Sequence, residues 1–167
     1  MSEIRIRPAA RPDLERLTEI YNHYVVNTPV TFDIEPYTAE RREPWFVQFG
    51  TSGRHRLLVA EIGGRVTGYV GSMRWRPKAA YDTTVETTIY CAPEAVGNGI
   101  GKRLYAALFD VLRGEDVHRF VAGYTTPNAA TAALHARFGF KTVGVFSEVG
   151  RKFGKYWDVC WMERGKE

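Results

Sequence analysis

The chain has 167 residues, 44% of them hydrophobic and 25% charged, with a formal net charge of +4. That length suits one domain able to bury a core without disulfide or metal staples, and the composition excludes extensive disorder. The positive charge is weak and scattered, so a nucleic-acid partner is not expected. No apolar run approaches the ~20 residues of a membrane span, and the polar stretch Met1 to Arg7 lacks a signal-peptide core. The expectation is a cytoplasmic protein with no membrane partner.

The elements are taken in chain order. Glu3 to Arg7 alternates polar and apolar residues, as a strand does. Pro12 suits a first helical turn, and Leu14, Leu17, Ile20, Tyr21 and Tyr24 follow at helical spacing. Thr28 to Pro36 is irregular. A short helix is predicted from about Thr38, kinked or restarted at Pro44. Arg56 to Ile62 and Arg65 to Trp75 read as a hairpin turning at Gly63 and Gly64. Val85 to Cys91 is a strand rich in β-branched residues. After a glycine-rich loop, Ile100, Leu104, Ala107, Leu108, Val111 and Leu112 mark one helix face. A strand at Arg119 to Tyr124, a helix from Asn128 to Gly139, and strands at Lys141 to Glu148 and Lys155 to Glu163 complete the chain. The fold class is α/β: a single domain, residues 1–167, with a mixed central sheet of about seven strands flanked by about four helices.

Val96-Gly97-Asn98-Gly99-Ile100-Gly101-Lys102 lies between a strand and a helix. Its glycines allow close backbone approach to a ligand, and the free N–H groups of a helix start make an anion site. The spacing is not that of a P-loop, which needs a glycine where Val96 stands and Ser or Thr where Arg103 stands. Nor is it G-x-G-x-x-G. A strand-to-helix turn without a ligand is the plain alternative. Cys91 and Cys160 lie in apolar segments and read as buried, reduced thiols. No metal-ligand spacing is present.

The loop resembles the acetyl-CoA loop [QR]-x-x-G-x-[GA] of the GNAT superfamily of acetyltransferases. Gly99 and Gly101 match, and Val96 departs from the pattern. Asn128 leading into Leu134-His135-Ala136-Arg137-Phe138-Gly139-Phe140 is similar to the helix that flanks the pantetheine arm in that family. Four further stretches resemble the phosphinothricin and methionine sulfoximine acetyltransferase branch. They are Asn22-His23-Tyr24 with Val30-Thr31-Phe32, Ala80 to Tyr90, Pro127-Asn128 with Leu134-His135, and Val149 to Val159. Thr83 and Thr125 depart from residues common in that branch.

The resemblance implies an acetyl-CoA-dependent N-acetyltransferase acting on the amino group of a small glutamate-like amino acid analogue. It implies acetyl-CoA as co-substrate without a metal, held by Ile89, Tyr90, Cys91, the loop Val96 to Lys102 (Val96, Gly97, Asn98, Gly99, Ile100, Gly101 and Lys102) and Asn128. Glu86 is implied as general base, since the amine is mostly protonated at neutral pH and must lose a proton. A backbone N–H near Tyr90 to Cys91, where family members splay the strand, is implied as the oxyanion donor. His135 stands where many relatives have an acidic tyrosine, its role left open between acid, base and substrate contact. Phe32, Arg76, Lys78, Tyr81 and Val159 fall in the implied acceptor pocket, and a homodimer through the C-terminal strands is expected. An acetyltransferase for another amine, or a CoA-binding sensor without turnover, are the alternatives.

Overall fold

The computed structural model describes residues 3–166; residues 1, 2 and 167, at the ends of the predicted domain, lie outside them. The elements in order are β1 (Ile4–Pro8), α1 (Leu14–Asn27), α2 (Ala39–Phe46), β2 (Leu57–Ile62), β3 (Arg65–Arg74), β4 (Thr84–Cys91), α3 (Ile100–Leu112), β5 (Arg119–Thr126), α4 (Ala129–Arg137), β6 (Lys141–Lys152) and β7 (Lys155–Gly165). This is the predicted order. Gly63 and Gly64 both adopt positive φ (57° and 80°), which is why the β2–β3 turn takes glycines. Thr38 and Asn128 cap α2 and α4, their side chains accepting from Arg41 N (3.3 Å) and Thr131 N (3.1 Å). Pro44 stands inside α2 without ending it. β6 runs beyond Glu148 because the strand bulges between Phe146 and Gly150, with Glu148 at φ 52°, and then pairs again.

The seven strands form one mixed sheet in the order β1-β2-β3-β4-β5-β7-β6. Every pairing is antiparallel except that of β4 with β5. β3 is buried from Val66 to Ser72, on both faces, because helices cover both sides. On one face Gly68 sits so close to α3 that an added Cβ would lie 3.2 Å from Ile100 Cγ2. On the other face Tyr69 packs at 5.8 Å against Trp45 of α2. Leu17 and Ile20 of α1 and Ile100, Leu104, Leu108 and Leu112 of α3 belong to the same core. Strand periodicity then carries the faces across β4. Glu86, Thr88 and Tyr90 lie opposite Met73, Gly71 and Tyr69 and share the α2 side, whereas Thr87 meets Tyr105 of α3. Among the described residues no helix is long and apolar enough to cross a membrane.

The irregular segment between α1 and α2 is pinned from three sides. Tyr21 Oη bonds the Thr31 hydroxyl (2.7 Å), Asn22 bonds Tyr37 through both its amide atoms (2.8 and 2.9 Å), and the buried Lys152 ammonium donates to Thr31 O (2.7 Å). Phe32 rests directly on Gly150, where an added Cβ would lie 2.1 Å from the ring. Gly150→Ala therefore expels Phe32 and loosens the segment that presents Val30 and Asp33 to the cavity described below. The expected cost is about 1–3 kcal/mol, as for overpacking elsewhere, read as a lowered Tm, together with a raised KM for the acceptor. An unchanged Tm would show that the segment is not held by this contact.

Candidate active site

β4 and β5 pair only at Thr84, Val85 and Glu86, which face Arg119, Phe120 and Val121. Beyond Glu86 the two strands part and leave a wedge open through the sheet. Ala92 N donates to Thr67 O of β3's leading edge (2.8 Å), so the alternation along β4 turns the N–H groups of Ile89 and Cys91 toward the wedge. Tyr24 Oη caps the Cys91 carbonyl at 2.6 Å, which fixes the strand's end against α1.

At the end of β4, Gly97 and Gly99 take positive φ (88° and 74°), and Gly99 is the N-cap of α3. No side chain caps this helix, so its first-turn N–H groups are open to an anion. Gly101 lies against α4 and β4: an added Cβ would sit 3.2 Å from Leu134 Cδ2 and 3.6 Å from Ile89 Cδ1. The loop's free donors therefore stand at the rim of the wedge.

A cavity of about 320 Å³ runs through the wedge. On the α2 side it is lined by Tyr21, Asp33, Tyr37, Arg42, Trp45, Tyr69 and Glu86, and on the α3–α4 side by Thr87, Tyr105, Tyr124, Asn128 and His135. Glu86 stands at its middle, where strand pairing stops. Burial raises the Glu86 pKa above its usual range, opposed by the charge of Arg76. A carboxylate so placed is a better proton acceptor than an exposed one.

A model of the acetyltransferase (GNAT) domain matches residues 6–161. The chain belongs to the GNAT acetyltransferase family. It is 54% identical over 165 residues to a phosphinothricin N-acetyltransferase of Streptomyces coelicolor, covering 98% of this chain and 96% of that protein. It is 34% identical over 158 residues to an L-methionine sulfoximine/L-methionine sulfone acetyltransferase of Pseudomonas paraeruginosa, covering 95% and 92%. A GNAT phosphinothricin acetyltransferase from Sinorhizobium meliloti, solved in complex with acetyl-CoA, superposes with a TM-score of 0.92 at 30% identity, over 99% of this chain and 89% of that one.

Within this acetyltransferase, His135 is only 4% exposed and both its ring nitrogens are engaged. Nδ1 lies 2.8 Å from Thr131 O, and since a carbonyl only accepts, Nδ1 carries a proton. Nε2 lies 2.8 Å from Tyr105 Oη, which in turn lies 3.0 Å from the Thr87 hydroxyl. Burial lowers the His135 pKa, opposed by the bond to Thr131. At neutral pH the ring is therefore neutral, with Nε2 accepting from Tyr105 and Tyr105 accepting from Thr87. This chain of bonds ties α4 to α3 and to the residue next to Glu86.

Among the sequence-predicted residues of the acetyltransferase, Glu86, Ile89, Tyr90, Asn128 and His135 line one cavity. Cys91 is half-buried with its thiol pushed up to about 11 by burial, so it is a poor nucleophile. Both cysteines are free. Val96, Gly97, Asn98, Gly99 and Lys102 lie exposed around the start of α3. The five residues proposed for the acceptor pocket do not line the cavity. Phe32 covers Gly150. The Arg76 guanidinium lies 5.0 Å over the Trp75 ring, and Tyr81 meets that ring edge to face at 5.1 Å. Lys78 is exposed at the head of a 3-10 turn, Ala79–Tyr81. Val159 is half-buried in β7 between Thr125 and Phe146. The sequence reading did not foresee the wall made by Tyr21, Tyr37, Arg42, Trp45 and Tyr69. Its signal was faint: Tyr21 reads as an ordinary helix-face residue, and α2 is too short and polar to advertise an inner face.

Proposed function

We propose that this enzyme transfers the acetyl group of acetyl-CoA directly to the amine of a small glutamate-like amino acid analogue such as phosphinothricin, methionine sulfone or methionine sulfoximine. The observation that carries the reading is the coincidence, in one cavity, of a half-buried carboxylate with a raised pKa and the wedge between β4 and β5. The pyrophosphate of acetyl-CoA is held by the N–H groups at the start of α3, with Gly97, Gly99 and Gly101 allowing its approach. The Val96 departure is tolerated because those contacts come from the backbone. The pantetheine arm follows Asn128 and α4 into the wedge.

The amine enters from the α2 side. Glu86 takes its proton, the nitrogen attacks the thioester carbonyl, and the developing oxyanion is met by the N–H of Ile89 or Cys91. The C–S bond then breaks, and the thiolate takes up the proton that the nitrogen sheds as the amide forms. His135 acts here as a positioning residue. Its neutral ring offers no free proton, and through Tyr105 it fixes Thr87 beside Glu86. A homodimer is supported by β6, an edge strand exposing Val143, Val145, Phe146 and Val149 by 54–63%. Light scattering is expected to give twice the 19.0 kDa chain mass, and Phe146→Asp to halve it. A wild-type monomer would contradict the dimer.

The test is thiol release from acetyl-CoA with phosphinothricin, methionine sulfone, methionine sulfoximine, ordinary amino acids, spermidine and a short peptide as acceptors. Turnover confined to the glutamate-like compounds supports the reading. Turnover of other amines alone leaves a GNAT acetyltransferase with a different acceptor. Binding of acetyl-CoA without turnover of any amine contradicts it.

A further inference from the structure

Arg42 of α2 brings a positive charge into the cavity wall with no negative charge bonded to it. It is 5% exposed and forms no ion pair among the described residues, whereas Arg7 pairs with Asp13 and Glu61, and Arg56 with Glu115. Its guanidinium lies 4.1 and 4.0 Å from the ring centroids of Tyr21 and Trp45, donates from Nη1 to Leu17 O at 3.2 Å, and meets the Tyr69 hydroxyl. Rings, carbonyl and hydroxyl are all uncharged. They orient the group and leave its charge unbalanced. A guanidinium has five N–H donors, and the contacts to Leu17 and Tyr69 use only part of them. A buried charge is ordinarily kept only against an opposite one. Asp33, also on this wall, accepts from the Tyr21 hydroxyl instead.

Its place in the cavity says which anion. The Tyr21 ring that stacks on Arg42 also packs edge to face on Tyr90 at 5.2 Å. Burial raises the pKa of both Tyr69 and Tyr90, and the charge of Arg42 opposes the rise in each. Arg42 thus acts at Tyr90, the residue between the Ile89 and Cys91 N–H groups where the amine is to react, and belongs to the reacting end of the acceptor. In an α-amino acid the anion at that end is the α-carboxylate, two bonds from the nitrogen. Phosphinothricin, methionine sulfone and methionine sulfoximine all carry it and differ at the far end of the side chain. We propose that Arg42 binds the α-carboxylate of the acceptor, so that the enzyme takes free α-amino acids and rejects amines without that group, such as a polyamine or a peptide N-terminus. The bond neutralises the buried charge through the remaining N–H groups of a guanidinium already held by two rings. The proposal rests on the α-amino acid class of acceptor inferred above, but concerns binding and not transfer.

The test is calorimetric binding to the enzyme saturated with CoA, which reads the subsite without turnover. The probes are methionine sulfone and its α-carboxamide, in which a neutral amide replaces the carboxylate. Where the thiol assay favours another α-amino acid, that compound and its carboxamide are the pair. The wild type is expected to bind the free amino acid at least about tenfold more tightly, in line with a charge-assisted bond to a buried group. Arg42→Met is expected to bring the two within about twofold by weakening the free amino acid alone. Arg42→Lys, which keeps the charge and loses the paired donors, is expected to narrow the ratio severalfold. Three results overturn the proposal: a wild type that does not distinguish the two compounds, an Arg42→Met ratio that stays at the wild-type value, or equal weakening of both, which would make Arg42 a structural support of the wall. Should Arg42→Met not fold, the wild-type ratio and Arg42→Lys decide, and an unchanged ratio in Arg42→Lys overturns the proposal. Turnover of free α-amino acids with level binding ratios sinks the subsite alone, whereas turnover only of amines without an α-carboxylate sinks the acceptor class as well.

Discussion

Glu86→Gln lowers kcat/KM for the acceptor by about 10²–10⁴-fold near neutral pH, the range associated with loss of a positioned general base. Affinity for acetyl-CoA is expected to stay unchanged, because in the proposed binding mode the cofactor's donors belong to the loop and the wedge and not to this side chain. The wild-type rate falls as pH drops through the Glu86 pKa, which burial holds above the usual carboxylate range, and the variant loses that limb. Stability moves the other way. A carboxyl whose folded pKa is raised favours its protonated form in the fold. Its contribution is therefore fully present below the unfolded pKa and is lost as pH rises through the folded pKa. Glutamine, always neutral, keeps that contribution, so Glu86→Gln raises Tm at neutral pH, and the gain shrinks to nothing in acid. Full activity in the variant would remove Glu86 from the base role. A Tm that falls at neutral pH would show that the charge of Arg76 outweighs the cost of burying the carboxylate.

Gly99→Val either lowers Tm or raises the KM for acetyl-CoA by about tenfold or more, the latter being the effect of losing one or more charge-assisted backbone bonds to phosphate. Gly99 sits at φ 74° as the N-cap of α3, a conformation that costs an ordinary residue about 1–2 kcal/mol and a β-branched one more. The space around it is open, with nothing within 4 Å of an added Cβ, so the penalty is backbone strain and not a clash. The variant either pays that strain or lets the loop relax and swing its N–H groups off the ligand. In the first case Tm falls by about 2–4 °C per kcal/mol; in the second KM rises. A variant with wild-type Tm and wild-type KM would show that the loop neither needs the conformation nor uses it to hold acetyl-CoA.

Both predictions concern features that were legible in the sequence, and the reason is local. Gly97 and Gly99 are fixed by the turn their own backbone makes, and Glu86 shares a face with Thr88 and Tyr90 through the two-residue period of one strand. The caps at Thr38 and Asn128 and the turn at Gly63 and Gly64 are likewise decided within a few residues. The parts that were not legible depend on distant partners. The parting of β4 from β5 after Glu86 is a property of two strands that α3 separates in the chain, and no short segment encodes it. The state of His135 depends on Tyr105, 30 residues away. The isolated motif suggests a titrating group, whereas the fold holds a neutral ring with both nitrogens engaged. The α2 wall of the cavity is the clearest case. Arg76 and Lys78 are a conspicuous basic pair in sequence and do not line the cavity, whereas Arg42, which does, is one of several charged residues on a short polar helix.

The most direct test of the account is a crystal structure with acetyl-CoA bound. The account predicts the pyrophosphate against the N–H groups at the start of α3, and the thioester carbonyl within the parting of β4 and β5, in hydrogen-bond reach of the Ile89 or Cys91 N–H and facing Glu86 across the cavity. A cofactor bound elsewhere, or a thioester turned away from that opening, would contradict it.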